Sequence, residues 1–526
     1  MSNFTYFISG FKKIVLHQNK TRSPMNTNTM NITKLLTASL LLFATVTGAQ
    51  AQLNLKNLAE KAKKEVQKAT GTSDGNKSGG LGQVLSKVTS GVASKGSGPY
   101  LNNGKTWYVS AAGNNKNDGT SASAPLKNLQ KAIDNAENGD VILVAEGNYL
   151  GTLNVGYIEI KDKYISVVGG FSPDFSERNP VTHKTYIQPT ENNVSTNGAK
   201  AVMTINASGN RSGIILIDGF GLDLGMENKY AAYDPNDPRN GSPEGCETGR
   251  IQAVGEGLGA NGTVGGATLG HPLMQGNVEG RLVVRNCTFV NGGYYGIQMM
   301  NKGGDWEIYN NVFVANSYAS CQVDSMNKDA NVTTVDFHHN TVLFSWCRTK
   351  VMEDMGYGFR FMSRVDCNVH DNIFGCSNLG ALDYSHHDSN KAIDALRKIR
   401  INNNRFFMNK GDLILPSASF MWLYVMTDQF DDVEEFEQLD GNEELTDQRF
   451  VEAINQPYLK GFAQIEKMES ASYNPNSAAN LYRQAHGMNM RGTETVRVSM
   501  YGNRYPFQEA YNLFGALPGF GAQANF

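Results

Sequence analysis

Phe337-His338-His339-Asn340-Thr341-Val342 and Val369-His370-Asp371-Asn372-Ile373-Phe374 are two copies of one pattern. The pattern also occurs as Val284-Arg285-Asn286-Cys287-Thr288-Phe289, Ile308-Tyr309-Asn310-Asn311-Val312-Phe313 and Ile401-Asn402-Asn403-Asn404-Arg405-Phe406. Successive copies are spaced by about 24, 29, 32 and 32 residues, with variable loops between them. A short strand, a tight turn and a second strand recurring at that period predict a solenoid of stacked coils. Asparagine suits the turn because it tolerates the left-handed backbone conformation. Stacked asparagine amides can also hydrogen-bond from coil to coil, while the apolar residue two places on points into the core. These asparagines therefore read as structural.

Working outward towards the N-terminus, Thr106-Trp107-Tyr108-Val109-Ser110 opens the folded region. An Asn/Asp/Gly-rich turn over 112–120 follows, then a helix-like Leu129-Gln130-Lys131-Ala132-Ile133 and the buried-strand pattern Gly139-Asp140-Val141-Ile142-Leu143-Val144. Segments 158–170 and 200–225 continue as strands broken by Gly and Asn. The order of motifs resembles the N-terminal cap and first coil of pectin-lyase-like proteins. In that superfamily a helix plugs the open end of a right-handed parallel β-helix, where apolar core and an unpaired strand edge would otherwise be exposed. The resemblance implies an all-β, single-stranded right-handed parallel β-helix with an N-terminal helical cap and an irregular, partly helical C-terminal segment. Its implications for chemistry are weaker, because lyases, hydrolases and binding proteins share the cap.

The expected organisation is a signal peptide with an extended start over 1–51 and a charged helix and Gly/Ser/Lys linker over 52–104. The β-helix then spans 105–424, with a long insertion at 226–280, and an acidic and helical segment with a cap occupies 425–526. The signal reading rests on Met30 to Lys34 as a basic start, the uncharged run Leu35–Val46 and the small-x-small site Ala49-Gln50-Ala51. At roughly 12 residues that run falls short of the about 20 needed to span a bilayer. Export to the periplasm, outer surface or medium is the consequence, with no transmembrane span after cleavage. Six cysteines (246, 287, 321, 347, 367, 376) would then permit one or two disulfides, the others being buried as small apolar groups. A net charge of −3 with 18% charged residues argues against a broad grip on nucleic acid or anionic lipid.

A second alignment, about eight residues past each turn, superposes Gln298, Gln322, Arg360 and Asp383. Ile297, Cys321, Phe359 and Leu382 should point inward, which leaves those four polar residues as one outward column with Asp324 on the same face. Loops add Tyr294, Tyr295, Tyr318, Lys350, Glu353, Asp354, Tyr357, His386, His387 and Asp388. A polar stripe bordered by tyrosines suits a polysaccharide or cell-surface glycan. For β-elimination of a polyuronate, Arg360, Lys350 and His386 are the candidate catalytic residues, and Gln298, Gln322, Asp324, Asp383, Tyr294 and Tyr357 the candidate substrate contacts. No catalytic motif of the superfamily matches residue by residue. Asp324 and Asp383 lie two coils apart, about 12 Å by sheet spacings, which disfavours two-carboxylate hydrolysis. The alternatives are a plain solvated face, in which Arg360–Asp383 is an ordinary cross-strand pair, or a non-catalytic glycan- or partner-binding protein. The oxygen-rich loop 113–119 is a possible Ca2+ site, although a self-bonded Gly-Asn turn explains it as well.

Overall fold

The structure is a computed structural model. It describes residues 99–526, less 150–156, 189–200, 224–229, 232–249, 252–271, 293–294, 326–332, 347–355, 363, 386, 388–389, 417–422, 435, 465–474, 477 and 488–504. Three nine-stranded sheets, here A, B and C, run the length of the coil. Each turn of chain contributes one strand to each sheet. Asp305–Tyr309 lies in A, Val312–Val314 in B and Ala319–Ser325 in C, and Thr333–His338 returns to A beside its predecessor. Among the described residues of the coil, only Leu423–Val425 is a strand antiparallel to its neighbour. The expected parallel coil is therefore present, and it continues past 424, because Glu443–Glu444 adds a parallel rung to sheet B. Sheet C also resumes inside the expected insertion, with Met274–Val278.

The corner from A to B explains the repeated motif. Asn286, Asn310, His339, Asp371 and Asn403 all have φ between 51° and 57°. The next residue in four of these turns (Asn311, Asn340, Asn372, Asn404) is wholly buried. Each of their Nδ2 atoms donates to the Oδ1 of the asparagine one coil on, at 3.1, 3.1, 2.9 and 3.0 Å, ending at Asn442. The same amides donate to backbone carbonyls, for example Asn340 to Ile308 at 2.8 Å. Buried amides without partners would cost about 1–3 kcal/mol each, so the ladder fixes the register of the coils. Two residues further on, the apolar side chains stack inside, as Phe289 on Phe313 at 4.8 Å.

Ahead of the repeats, the helix Leu129–Asn135 is N-capped by Asn128 and buries Leu129, Ala132 and Ile133 against the same core. In the loop before it, Asn115 Oδ1 accepts from Lys127 and Asn128, Asp118 Oδ1 accepts from Thr120, and the Asn115 carbonyl accepts from Lys131. Those oxygens serve the loop's own backbone and its neighbours.

A second core lies outside sheet B. Val312, Leu343, Ile373 and Phe407 pack there against helices Gln448–Ala453 and Gln456–Gln464 and the terminal segment 505–526. That last segment crosses three coils. Gly521 N donates to the Asp371 carbonyl at 2.8 Å, Ala522 N to Thr341 Oγ1 at 3.0 Å and Gln523 N to Asn310 Oδ1 at 2.5 Å. Cys287, Cys321, Cys367 and Cys376 are buried free thiols, and no disulfide joins the described residues. Cys246 and Cys347 lie outside them. The bridges expected for an exported chain are thus not found among these four, which serve as small apolar core groups.

Candidate functional site

The outward column on sheet C has the expected register: Gln275, Gln298, Gln322, Arg360 and Asp383 are successive partners. Its exposure is not as expected. Arg360 is 2% exposed and Asp383 is fully buried, joined by an Nε to Oδ2 contact of 2.7 Å. Gln322 is buried too and donates to Asp324 Oδ2 at 3.0 Å. Gln275, Gln298 and Asp324 are half-buried.

The physical reason is a tyrosine-rich cluster on the same outer face: Tyr295, Ala319, Tyr357, Leu379 and Ile414, with Tyr318 and Tyr424 packed on it. The Arg360 guanidinium lies 4.8 Å from the ring centre of Tyr357 and 5.5 Å from that of Tyr318. Pointing away from the coil is therefore not the same as facing water. Arg360, held in a covered ion pair, is in no position to meet a substrate carboxylate or take its proton. The reading of Arg360–Asp383 as an ordinary exposed cross-strand pair falls for the same reason. Tyr357 is fully buried. Lys350, His386, Tyr294, Glu353, Asp354 and Asp388 lie outside the described residues, and His387 is exposed, edge-on to Tyr384. Beside this column, Asp412 is buried and accepts from Asn409 and the Thr427 backbone. Burial pushes its carboxyl up to about 7.

A different constellation lies on the outer face of sheet A at the corner with B. Asp218 is fully buried and accepts from Arg178, from Arg285 Nε at 2.7 Å and from Asn286 Nδ2 at 2.6 Å. Two guanidiniums against one carboxylate leave this floor net positive. Arg285 Nη1 also donates to Tyr309 Oη at 2.9 Å. Tyr309, His338 and His370, one per coil, stack with ring centres 4.8 Å apart and planes within 7°. That spacing is the strand separation itself. A cavity of about 390 Å³ opens over these residues, lined by Arg178, Arg285, Asn286, Tyr309, Asn310, His338 and His339, with Gln523, Asn525 and Phe526 of the terminal segment as its other wall.

Burial lowers His338 to about 4 and also lowers His339, so both imidazoles are neutral at neutral pH. Burial pulls His370 down too. Its hydrogen bonds to Asp336 (3.1 Å) and Asp371 (2.7 Å), together with their charges, outweigh that and raise it. Each carboxylate can only accept, so both His370 nitrogens carry protons in this arrangement. In the sequence these histidines sit inside the turn motif, which hides them. The available signal was the exchange of Asn for His339 and Asp371 at the left-handed position of two adjacent coils.

A family model described as "Protein of unknown function (DUF1565)" matches residues 111–172. With three parallel nine-stranded sheets and one strand per sheet in each turn, the fold is decided. The chain is a right-handed parallel β-helix. No curated protein matches it significantly. Among solved structures, the β-helix is similar to pectate lyase Pel9A at 10% identity, covering 62% of this chain and 80% of that one with a TM-score of 0.26. A pectin methylesterase in complex with a hexasaccharide shares 10% identity over 66% and 96% of the two chains, with a TM-score of 0.25. A rhamnogalacturonan lyase shares 12% over 80% and 100%, with a TM-score of 0.21. Likenesses this distant carry no argument about what this β-helix does.

Proposed function

We propose that this β-helix is an exported protein that holds a carboxylate-bearing polysaccharide in the cavity between sheet A and the terminal segment. One observation carries the reading: the cavity joins a net positive floor, Arg178 and Arg285 over Asp218, to a wall of amides, imidazoles and a phenol. Guanidinium groups suit carboxylates, and the imidazole edge of His338 suits hydroxyls. Arg178 is the cation with a guanidinium nitrogen to spare. Its Nε is bonded to the Gly169 carbonyl and its Nη2 to Asp218, and Nη1 has no partner among the described residues. The leader-like segment 30–51 supports export to where such polymers occur.

The test is retardation of the native protein in gels containing polyuronates or neutral glucans. Retention by polyuronate alone, weakened by Arg178→Gln, supports the reading. Equal mobility in every gel rejects it.

A second reading, β-elimination, is favoured by the neutral His338 imidazole in the same cavity as the cationic floor, since elimination pairs a base with carboxylate neutralisation. Ultraviolet absorbance from unsaturated uronate products, lost in His338→Asn, would support it. A flat trace over a broad polyuronate panel, with and without Ca2+, leaves binding alone.

A further inference from the structure

We infer that His339, His370 and Asp371 form a binding site for one divalent transition-metal ion of the zinc or nickel type. One donor atom from each residue can be taken so that all lie within 4.8 Å of one another. Donors bound at about 2.0–2.2 Å to a common ion stand about 3.0–3.6 Å apart, so a pair as wide as 4.8 Å has to draw together by more than 1 Å as the ion enters. Two imidazoles with one carboxylate select zinc, nickel or copper over calcium and magnesium, which require mostly oxygen ligands.

The backbone of the site is held independently of any ion. His339 (φ 51°) and Asp371 (φ 56°) stand at the left-handed turn position of adjacent coils. The buried amides of Asn340 and Asn372 follow them in the ladder. Asn310 and Asn403 fill the same position in the flanking coils, so the turn itself asks for nothing more than asparagine. Histidine and aspartate here are additional to folding.

The hydrogen bonds around the site are those a metal ligand needs. His370 Nε2 donates to Asp336 at 3.1 Å, the outer carboxylate contact that orients a ligating imidazole. His370 Nδ1 donates to Asp371 Oδ2 at 2.7 Å, and the ion would take the place of that proton, which leaves to solvent. His338 and His339 meet Nδ1 to Nδ1 at 2.9 Å. With His339 as the donor, its Nε2 keeps a lone pair, while His338 accepts at Nδ1 and carries its proton on Nε2, so a metal ion here and His338 acting as a base exclude one another. Three protein ligands leave coordination positions open, and His339 also lines the cavity. The site does not rest on the polysaccharide proposal. Metal binding without polyuronate retention would leave this inference standing and remove the other.

The test uses the full chain without a histidine tag, freed of metal by a chelator and titrated calorimetrically with Zn2+ or Ni2+. The expected result is one ion per chain and no comparable heat with Mg2+ or Ca2+. His339→Asn and Asp371→Asn, each restoring the residue of a neighbouring coil, should weaken binding at least tenfold with unchanged circular dichroism. Absence of saturable heat, or affinity unchanged in both variants, overturns the site. Should either variant lose its fold, the visible spectrum of the Co2+-loaded native chain decides. Intense bands of a four- or five-coordinate ion support the site, and the weak spectrum of hydrated Co2+ overturns it.

Discussion

The outer faces of sheets C and A both carry a polar column with one residue per coil, yet they differ in what covers them. On sheet C the column Gln322–Arg360–Asp383 is sealed under tyrosines, and its arginine and aspartate neutralise one another. On sheet A the column Arg285–Tyr309–His338–His370 stays half-open, has an excess of positive charge at one end and borders a cavity. Alternation in a strand decides only which side chains leave the core. Whether those side chains meet water or another layer depends on residues far away in the chain. The covered column thus serves stability, and the half-open one is the face proposed above for recognition, a division that experiment can break.

The largest expected effect is from Asp383→Ala. It strands the buried Arg360 guanidinium and should cost about 3–5 kcal/mol in denaturant unfolding, while polyuronate retention of the folded fraction stays the same. Retention lost at unchanged stability would reverse the assignment of the two faces.

Next comes Asp412, beside the covered column. Its carboxyl is raised to about 7 in the folded chain, so between about 4 and 7 the folded state binds more protons than the unfolded one. Its contribution to stability is therefore full below the ordinary carboxylate range and is lost as pH rises towards 7. Asp412→Asn should flatten that slope in melts across this window, and an unaltered slope would assign the pH dependence elsewhere.

Asn372→Ala removes one rung of the corner ladder and strips the Asn340 backbone N–H and the Phe337 carbonyl of the side-chain bonds it supplied. The expected loss is about 1–3 kcal/mol, read from the same unfolding curves. Substitution at no cost would mean that water replaces the rung.

The smallest effect is expected from Arg178→Gln. Asp218 keeps Arg285, so stability should change little, while polyuronate affinity falls about tenfold, equivalent to about 1.4 kcal/mol. An equal loss towards neutral glucans would show that the cavity reads shape instead of charge.

The coil was legible because its two signals are local and periodic. Asn311, Asn340, Asn372 and Asn404 repeat at the corner, and Gln298, Gln322, Arg360 and Asp383 keep one register along sheet C. Burial was not legible. Tyr318 precedes its strand and Tyr424 comes from the antiparallel strand that closes the sheet, and no periodicity announces that both pack on one face. The cavity on sheet A was hidden for the opposite reason. His338, His339, His370 and Asp371 stand inside the strongest repeat in the chain, where a turn explanation already suffices. Its far wall, Gln523 to Phe526, comes from an irregular segment with no pattern linking it to Asn310 or Asp371.

The terminal segment has a mechanical consequence. A solenoid whose coils touch only their neighbours can unzip from either end, one rung at a time. Here Gly521, Ala522 and Gln523 are sewn to Asp371, Thr341 and Asn310, three successive coils, like stitches across a seam. Peeling away one of those coils therefore requires tearing the thread that also holds the next. The seam borders the cavity, so the part of the coil proposed to grip a long polymer is also stitched against being pulled open by it.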